Sequence, residues 1–261
     1  MKRFFSDVRK YWGFVRYTGE SELKASIAGS YLGWLWWVLD PLLFMCVYFA
    51  VFGLIFGKTE QYFAAFIFIG HSAFNFFSKA VKSSVKVVAS NKAMVTKVYM
   101  PKYVLLMTKL FVLGFEYFIA FALAVGTMVL YRVPISWHIL LYFPLVMLMF
   151  VLCFGIGLFL MHFGVYVEDL ANIINVAMKL IFYLSGVFFS IPKRVENPLY
   201  QTILLKCNPI AFIMNEMRNC LLYQANIDWT TYCIWLGISL LLCCLGVPMI
   251  YRNENSYVKM M

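Results

Sequence analysis

Apolar residues in this chain gather into six long runs, at about Pro41 to Gly57, Tyr62 to Phe77, Tyr103 to Tyr131, Ile139 to Phe163, Leu170 to Ile191 and Trp229 to Tyr251. Most reach the roughly 17 to 25 residues that a helix needs to cross the bilayer core. The second run is short. It gains length if its helix continues into the segment behind it, where Lys79, Lys82 and Lys86 fall on one side of a helical wheel and Val81, Val85 and Val88 on the other. Ser90 and Asn91 predict a break after that helix. A second short segment, Lys92 to Met100, ends before Pro101, whose ring disfavours helical geometry in the residue ahead of it. A basic elbow of this kind suits docking of a soluble partner, and a loop that merely carries orienting charge would show the same pattern.

Two further segments flank the runs. Phe4, Phe5, Val8, Tyr11 and Trp12 recur at helical spacing among basic residues, which predicts an amphipathic helix in the membrane interface, although a simple juxtamembrane anchor fits too. Tyr31, Trp34, Trp36 and Trp37 form an aromatic cluster suited to the headgroup level, and Pro41 predicts a helix start or break. Between runs five and six, Ile191-Pro192 and Asn208-Pro209 bracket a partly apolar stretch with Leu199, Tyr200, Ile203, Leu204 and Leu205, followed by a helical pattern from Ile210 to Tyr223. Neither piece can span. The segment Ser190 to Asp228 is expected to form two short re-entrant helices, with a plain outer loop as the alternative.

Composition changes the picture little: 63% of residues are hydrophobic and 13% charged, more apolar surface than the core of a soluble domain could hide. Charge adds direction. Lys2, Arg3, Arg9, Lys10, Arg16 and Lys24 precede the first run, and Lys82, Lys86, Lys92, Lys97 and Lys102 follow the second. The first and third connections hold only Lys58 and Arg132, so both termini are expected on the cytoplasmic side, in agreement with Arg252 and Lys259. Lys193, Arg194, Lys206 and Arg218 on the outer side run weakly against this orientation. The expected fold is an all-α integral membrane protein with a single domain over 1–261. It comprises an interfacial N-terminal segment (1–30), a six-helix membrane region (31–251) and a cytoplasmic tail (252–261). The first thirty residues contain no apolar core of a cleavable signal, so the first span is expected to direct membrane entry.

Catalytic chemistry is scarce. Gly53 to Thr59 resembles a phosphate loop, but it has three residues between its glycines instead of four and ends an apolar run. His71, His138 and His162 lie in separate segments with no second ligand at helical spacing. Of seven cysteines, Cys46, Cys153, Cys233, Cys243 and Cys244 fall within spans; Cys207 and Cys220 lie on the outer side, where no C-x-x-C spacing supports a bridge. Glu116 and Lys179 are ionisable residues deep within spans. Charge there costs at least roughly 2.5 to 3.5 kcal/mol, which predicts an intramembrane charged pair or a pathway-lining role.

Motifs in order along the chain resemble a known family. Leu23-Lys24, then Ser30 through Trp36 (SYLGWLW), then Pro41-Leu42 look like the N-terminal signature of ABC-2-type permeases that export cell-surface polysaccharides. Lys97 to Lys102 (KVYMPK), Asp169, the run Phe182-Tyr183-Leu184-Ser185, and Asn208-Pro209 through Glu216 and Arg218 resemble its later landmarks. The chain departs from the family pattern at Ser26-Ile27, where an arginine-tyrosine pair is usual, at Glu168 in place of arginine, and at Gly186 in place of proline.

The resemblance implies a multi-pass permease of the bacterial inner (cytoplasmic) membrane. It would be a homodimer joined to two separate ATP-binding subunits that bind ATP and magnesium, with no cofactor and no enzymatic activity of its own. The implied cargo is an undecaprenyl-diphosphate-linked glycan: O antigen of lipopolysaccharide, teichoic acid or capsule. Trp34, Trp36, Tyr183 and Phe189 are candidates for lining the substrate pathway, since flat rings offer apolar contact without fixed hydrogen-bond geometry. Arg16 and Lys24 are candidates for the lipid diphosphate entrance, and Lys97, Tyr99, Pro101 and Lys102 for coupling to the ATPase. The competing class is an ion-coupled secondary transporter, which would call for inverted halves and several deep carboxylates; only Glu116 is deep. A glycan-modifying membrane enzyme would need a polar constellation that the loops lack.

Overall fold

The computed structural model describes residues 2–28, 31–55, 60–97, 100–134 and 136–259, and among them it is helical with no strand. The chain opens with α1 (Lys2–Ile27), followed by a 3-10 turn at Gly33–Leu35, α2 (Trp36–Tyr48) and a π-helical continuation, Phe49–Ile55. Then come α3 (Phe63–Ser90), the short α4 (Lys92–Lys97), α5 (Tyr103–Leu130), α6 (Tyr142–Tyr166) and α7 (Leu170–Leu184). Three short helices follow, α8 (Ile191–Arg194), α9 (Pro198–Lys206) and α10 (Pro209–Leu222), before the long α11 (Trp229–Lys259).

Among the described residues, five helical segments are long and apolar enough to cross a membrane: Gly33–Gly53, Phe63–Ser90, Tyr103–Leu130, Trp137–Tyr166 and Trp229–Glu254. Helix α3 is the centre of the bundle, packed against α5, α6, α7 and α10. Its 28 residues extend about 42 Å, well beyond the ~30 Å hydrocarbon core, so the expected run-on past Phe77 is present. Val81, Val85 and Val88 are buried on that extension while Lys79, Lys82 and Lys86 are exposed, as their segregation predicts. Inside lipid there is no hydrophobic drive to hold helices together, and close approach substitutes for it. A Cβ on Gly164 of α6 would lie 2.1 Å from the Val85 carbonyl oxygen of α3.

Three expectations change. The first span starts earlier, and Pro41 stands inside α2 rather than at its first turn. The fifth run forms a helix of only 15 residues, about 22 Å long, instead of reaching Ile191. The reason is Gly186, whose φ of +66° turns the chain out of the helix. Proline, fixed near −65°, cannot adopt that angle, so the departure from the family pattern at this position has a conformational role. The helix of the sixth run extends beyond Tyr251, since α11 stays helical through Lys259.

On the outer segment, α9 and α10 match the two predicted short helices, with α8 as an added turn. They are unlike each other. Leu199, Tyr200 and Ile203 of α9 are exposed, whereas Ile210, Phe212, Ile213, Met214 and Met217 of α10 are buried in the core. Arg218 of α10 is 4% exposed. Its Nε donates to the Phe66 carbonyl at 3.1 Å, and its two terminal nitrogens donate to Gly186 and Val187 at 2.8 and 2.7 Å, so it ties the turn after α7 to α3. The outer basic residues therefore weigh little against the expected orientation: Arg218 is internal, Lys193 pairs with Glu60 at 2.5 Å, and Lys206 lies 3.6 Å from Asp228. Cys207 and Cys220 are unbridged, the first exposed and the second buried.

Candidate functional site

A polar stripe runs along α3: His71, Asn75, Lys79, Lys82 and Lys86 recur at steps of three or four, which places them on one face of a helix. Helix α5 answers with Lys109 and Glu116, α2 with Asp40, and the C-terminal end of α1 with Glu22 and Ser26. The space between these helices divides into two parts. An inner chamber of about 310 Å³ is walled by Trp36, Trp37, Asp40, His71, Asn75 and Tyr117. A wider groove of about 860 Å³ opens beside it at the end of the bundle that carries α4, walled by Glu22, Lys79, Lys82, Lys86, Asn91 and Lys109. Ser26, Lys79, Leu113 and Glu116 line both, so the two adjoin across that wall.

At the wall Lys79 Nζ donates to Glu116 Oε2 at 2.9 Å, with side chains 45% and 27% exposed. This corrects the expected partnership of Glu116 with Lys179. Helix α3 packs between α5 and α7, so Lys79 reaches Glu116 first, while Lys179 is exposed on α7. An ion pair this exposed is worth roughly 0.2 to 1 kcal/mol, less than the roughly 2.5 to 3.5 kcal/mol each charge would cost in lipid. Both side chains line the open space between α3 and α5. Nearer the mouth, Lys109 donates to Glu22 at 2.7 Å, clamping α1 to α5.

Aromatic contacts build the chamber wall. Trp37 meets Phe115 edge-on at 5.4 Å between centroids, and His71 stacks on Phe44 at 5.2 Å. Beyond this wall, Tyr48 and Phe52 meet Phe188 at 4.5 and 4.4 Å, joining α2 to the turn after α7. Of the pathway candidates, Trp36 lines the chamber, Trp34 and Tyr183 are exposed, and Phe189 is half-buried in the turn. Helices α2 and α7 bury almost nothing within the protomer; Met178 is the one buried residue of the two.

Both entrance candidates are on α1. Arg16 is on α1, held by Glu20 at 2.8 Å, and neither it nor the exposed Lys24 lines the groove; the lysines that do are Lys79, Lys82, Lys86 and Lys109. Helix α1 itself does not rest on lipid alone, because Phe4 packs on Tyr103 and Trp12 on Phe111. In the coupling segment, Lys97 is exposed at the end of α4, whereas Pro101 and Lys102 are buried. Burial pushes the Lys102 ammonium below its usual pKa, against the opposing pull of Glu254, so Lys102 is not a docking charge in the protomer. Tyr99 lies outside the described residues, as do Ser30 of the N-terminal signature and Phe56 to Thr59 of the phosphate-loop likeness. Among the described residues no cluster of three metal-ligating side chains occurs.

Comparison with known proteins bears on what this site serves. The profile of the ABC-2 type transporter family matches residues 21–222. The chain is 26% identical over 224 residues to the O-antigen export system permease protein RfbA of Myxococcus xanthus, covering 84% of each. It is 22% identical over 192 residues to the like-named protein of Klebsiella pneumoniae, covering 70% of this chain and 74% of that one. Similarity also extends to the polysialic acid transport protein KpsM of Escherichia coli, at 25% identity over 224 residues, 77% of this chain and 78% of KpsM.

Proposed function

Because the chain belongs to the ABC-2 type transporter family, and so is a transport subunit rather than an enzyme, we propose that it forms the membrane pathway of an ATP-driven exporter of a lipid-linked cell-surface polysaccharide. The observation that carries this reading is the similarity, over most of the chain, to permeases named for O-antigen export and for polysialic acid transport. The geometry supports it. A chamber between α2, α3 and α5 lined by Asp40, Lys79, Asn75 and Glu116 suits a polar cargo.

Two copies of the chain pair with two ATP-binding subunits, and the exposed faces of α2 and α7 border the pathway between the copies. Trp34, Trp36, Tyr183 and Phe189 line its ends. Both termini face the cytoplasm of a bacterial inner membrane, which puts α1 and α4 on the side of the motor. ATP and magnesium belong to the partner, and Lys97 with the α4 segment is the lever it pushes. The cargo is a glycan on an undecaprenyl diphosphate carrier, with O antigen as the leading class given the relatives.

Deleting the chain tests this directly. Surface glycan should disappear while lipid-linked glycan accumulates inside the cell, with restoration by the wild-type chain only when an active ATP-binding subunit is present. Surface glycan at wild-type level after deletion would overturn the assignment.

A further inference from the structure

The two adjoining spaces differ in chemistry in a way that matches the two parts of one headgroup. The groove presents four lysines, Lys79, Lys82, Lys86 and Lys109, against two glutamates, Glu22 and Glu116, an excess of two positive charges. A diphosphate esterified at both ends carries two negative charges. The chamber beyond is different: Trp36 and Trp37 offer flat apolar faces, while Asp40, His71, Ser72 and Asn75 offer hydrogen-bonding groups. An acyl chain placed there would leave those groups unsatisfied, at a cost of roughly 1 to 3 kcal/mol each. A ring with hydroxyls on its edge and C–H groups on its faces would satisfy both kinds of wall.

Size narrows the occupant. At about 310 Å³ the chamber is at the small end of ligand pockets, roughly 300 to 1,000 Å³, which suits one or two sugar units and not a polymer.

We propose that each protomer carries its own headgroup-reading site, in which the groove of Lys82, Lys86 and Lys109 holds the diphosphate of a lipid-linked glycan and the chamber of Trp36, Trp37, Asp40, His71 and Asn75 holds the sugar attached to it. The inference rests on the exporter reading and deepens it: the permease selects its cargo by the linkage end, before the polymer enters the shared pathway. The Lys79–Glu116 pair lines both spaces, where diphosphate and sugar would meet.

The test uses the full complex with its ATP-binding subunits in nanodiscs and two radiolabelled probes of equal charge, the methyl ester of undecaprenyl diphosphate as the bare carrier and undecaprenyl diphosphate N-acetylglucosamine, with inorganic diphosphate as competitor. The wild type should bind the sugar-bearing probe about tenfold more tightly than the bare carrier, the factor expected from one or two charge-assisted hydrogen bonds. Asn75→Leu should erase that preference and leave affinity for the bare carrier unchanged. The exposed Asp40→Asn, which places no demand on folding, should narrow it. Lys82→Gln with Lys86→Gln should weaken both probes about equally.

Equal binding of both probes to the wild type, or a preference that survives both chamber variants, overturns the sugar chamber. Affinity for the bare carrier that is untouched in the lysine variant overturns the groove. Competition by inorganic diphosphate as strong as by the lipid shows a free-phosphate site and overturns the lipid source. Surface glycan is scored in parallel: its presence without headgroup preference sinks this inference alone, whereas its independence from the chain sinks the exporter reading beneath it.

Discussion

At the scale of single residues, two charged groups within the bundle have opposite meanings. Arg218 is sealed in and satisfied by three carbonyls, so its role is structural. Replacing it by lysine keeps the charge but loses the planar fork, and replacing it by alanine orphans the Gly186 and Val187 carbonyls at roughly 1 to 3 kcal/mol each, while the Phe66 carbonyl keeps its partner within α3. Both variants should melt well below the wild type in detergent, alanine lowest; unchanged melting in Arg218→Ala would contradict the latch. Glu116 is the reverse case. Its exposed pair with Lys79 contributes about 1 kcal/mol at most, so Glu116→Gln should leave melting nearly unchanged while glycan export falls. Normal export in a normally folded Glu116→Gln protein would remove Glu116 from the pathway. The sequence shows that Glu116 is deep but not whom it meets, because the partner is set by the order in which α5, α3 and α7 pack.

At the scale of elements, most of the helices were legible and their ends were less so. The runs Tyr103 to Tyr131 and Trp229 to Tyr251 carry their own signal in length and hydropathy, and they appear as α5 and the membrane part of α11. The end of α7 does not, since a lone glycine inside an apolar run reads as part of the run until its φ is known. The stripe His71-Asn75-Lys79 was present in the sequence at helical spacing. Its last member was visible as the start of a basic face, but the weaker polarity of His71 and Asn75 hid the continuation into the span. Helix α11 begins on a side-chain cap, in which Asp228 accepts from the backbone of Thr230 and Thr231 at 3.2 and 3.3 Å. The Thr231 hydroxyl, foremost, holds the Asp228 carboxyl below its usual range. Asp228→Ala should cost about 1 kcal/mol at neutral pH. Because the folded pKa is the lower one, that contribution is complete above the unfolded value, about 3.9, and fades as pH falls through the folded one. A stability gap between wild type and Asp228→Ala that stays constant into acid would contradict the cap. For α4, reversing Lys97 should weaken co-purification of the ATP-binding subunit or uncouple hydrolysis from export; no change in either would leave Lys97 as an orienting charge only.

At the scale of the whole molecule, α2 and α7 leave most of their apolar surface uncovered in the protomer. Exposed apolar residues on α2 and α7, among them Phe44, Val47, Val176, Leu180 and Tyr183, face away from the core, and the aromatic pathway proposed between two copies accounts for them. Alanine at Trp34, Trp36, Tyr183 and Phe189 should lower export at normal protein abundance, while lowered abundance would mark these rings as packing. The proposed assembly and cargo are not legible in residue periodicity and rest on ordered motifs and on relatives, because they depend on partners outside the chain, whereas the expected orientation rests on where Lys and Arg fall. The central claim is that glycan crosses through this chain at the expense of ATP. The most direct measurement is transfer of lipid-linked glycan into the lumen of proteoliposomes holding the purified complex, with the ATP-binding subunits facing outward. The account predicts protected glycan only when ATP is hydrolysed, none with a hydrolysis-dead partner, and no response to an imposed ion gradient. Transfer driven by an ion gradient without ATP would contradict it.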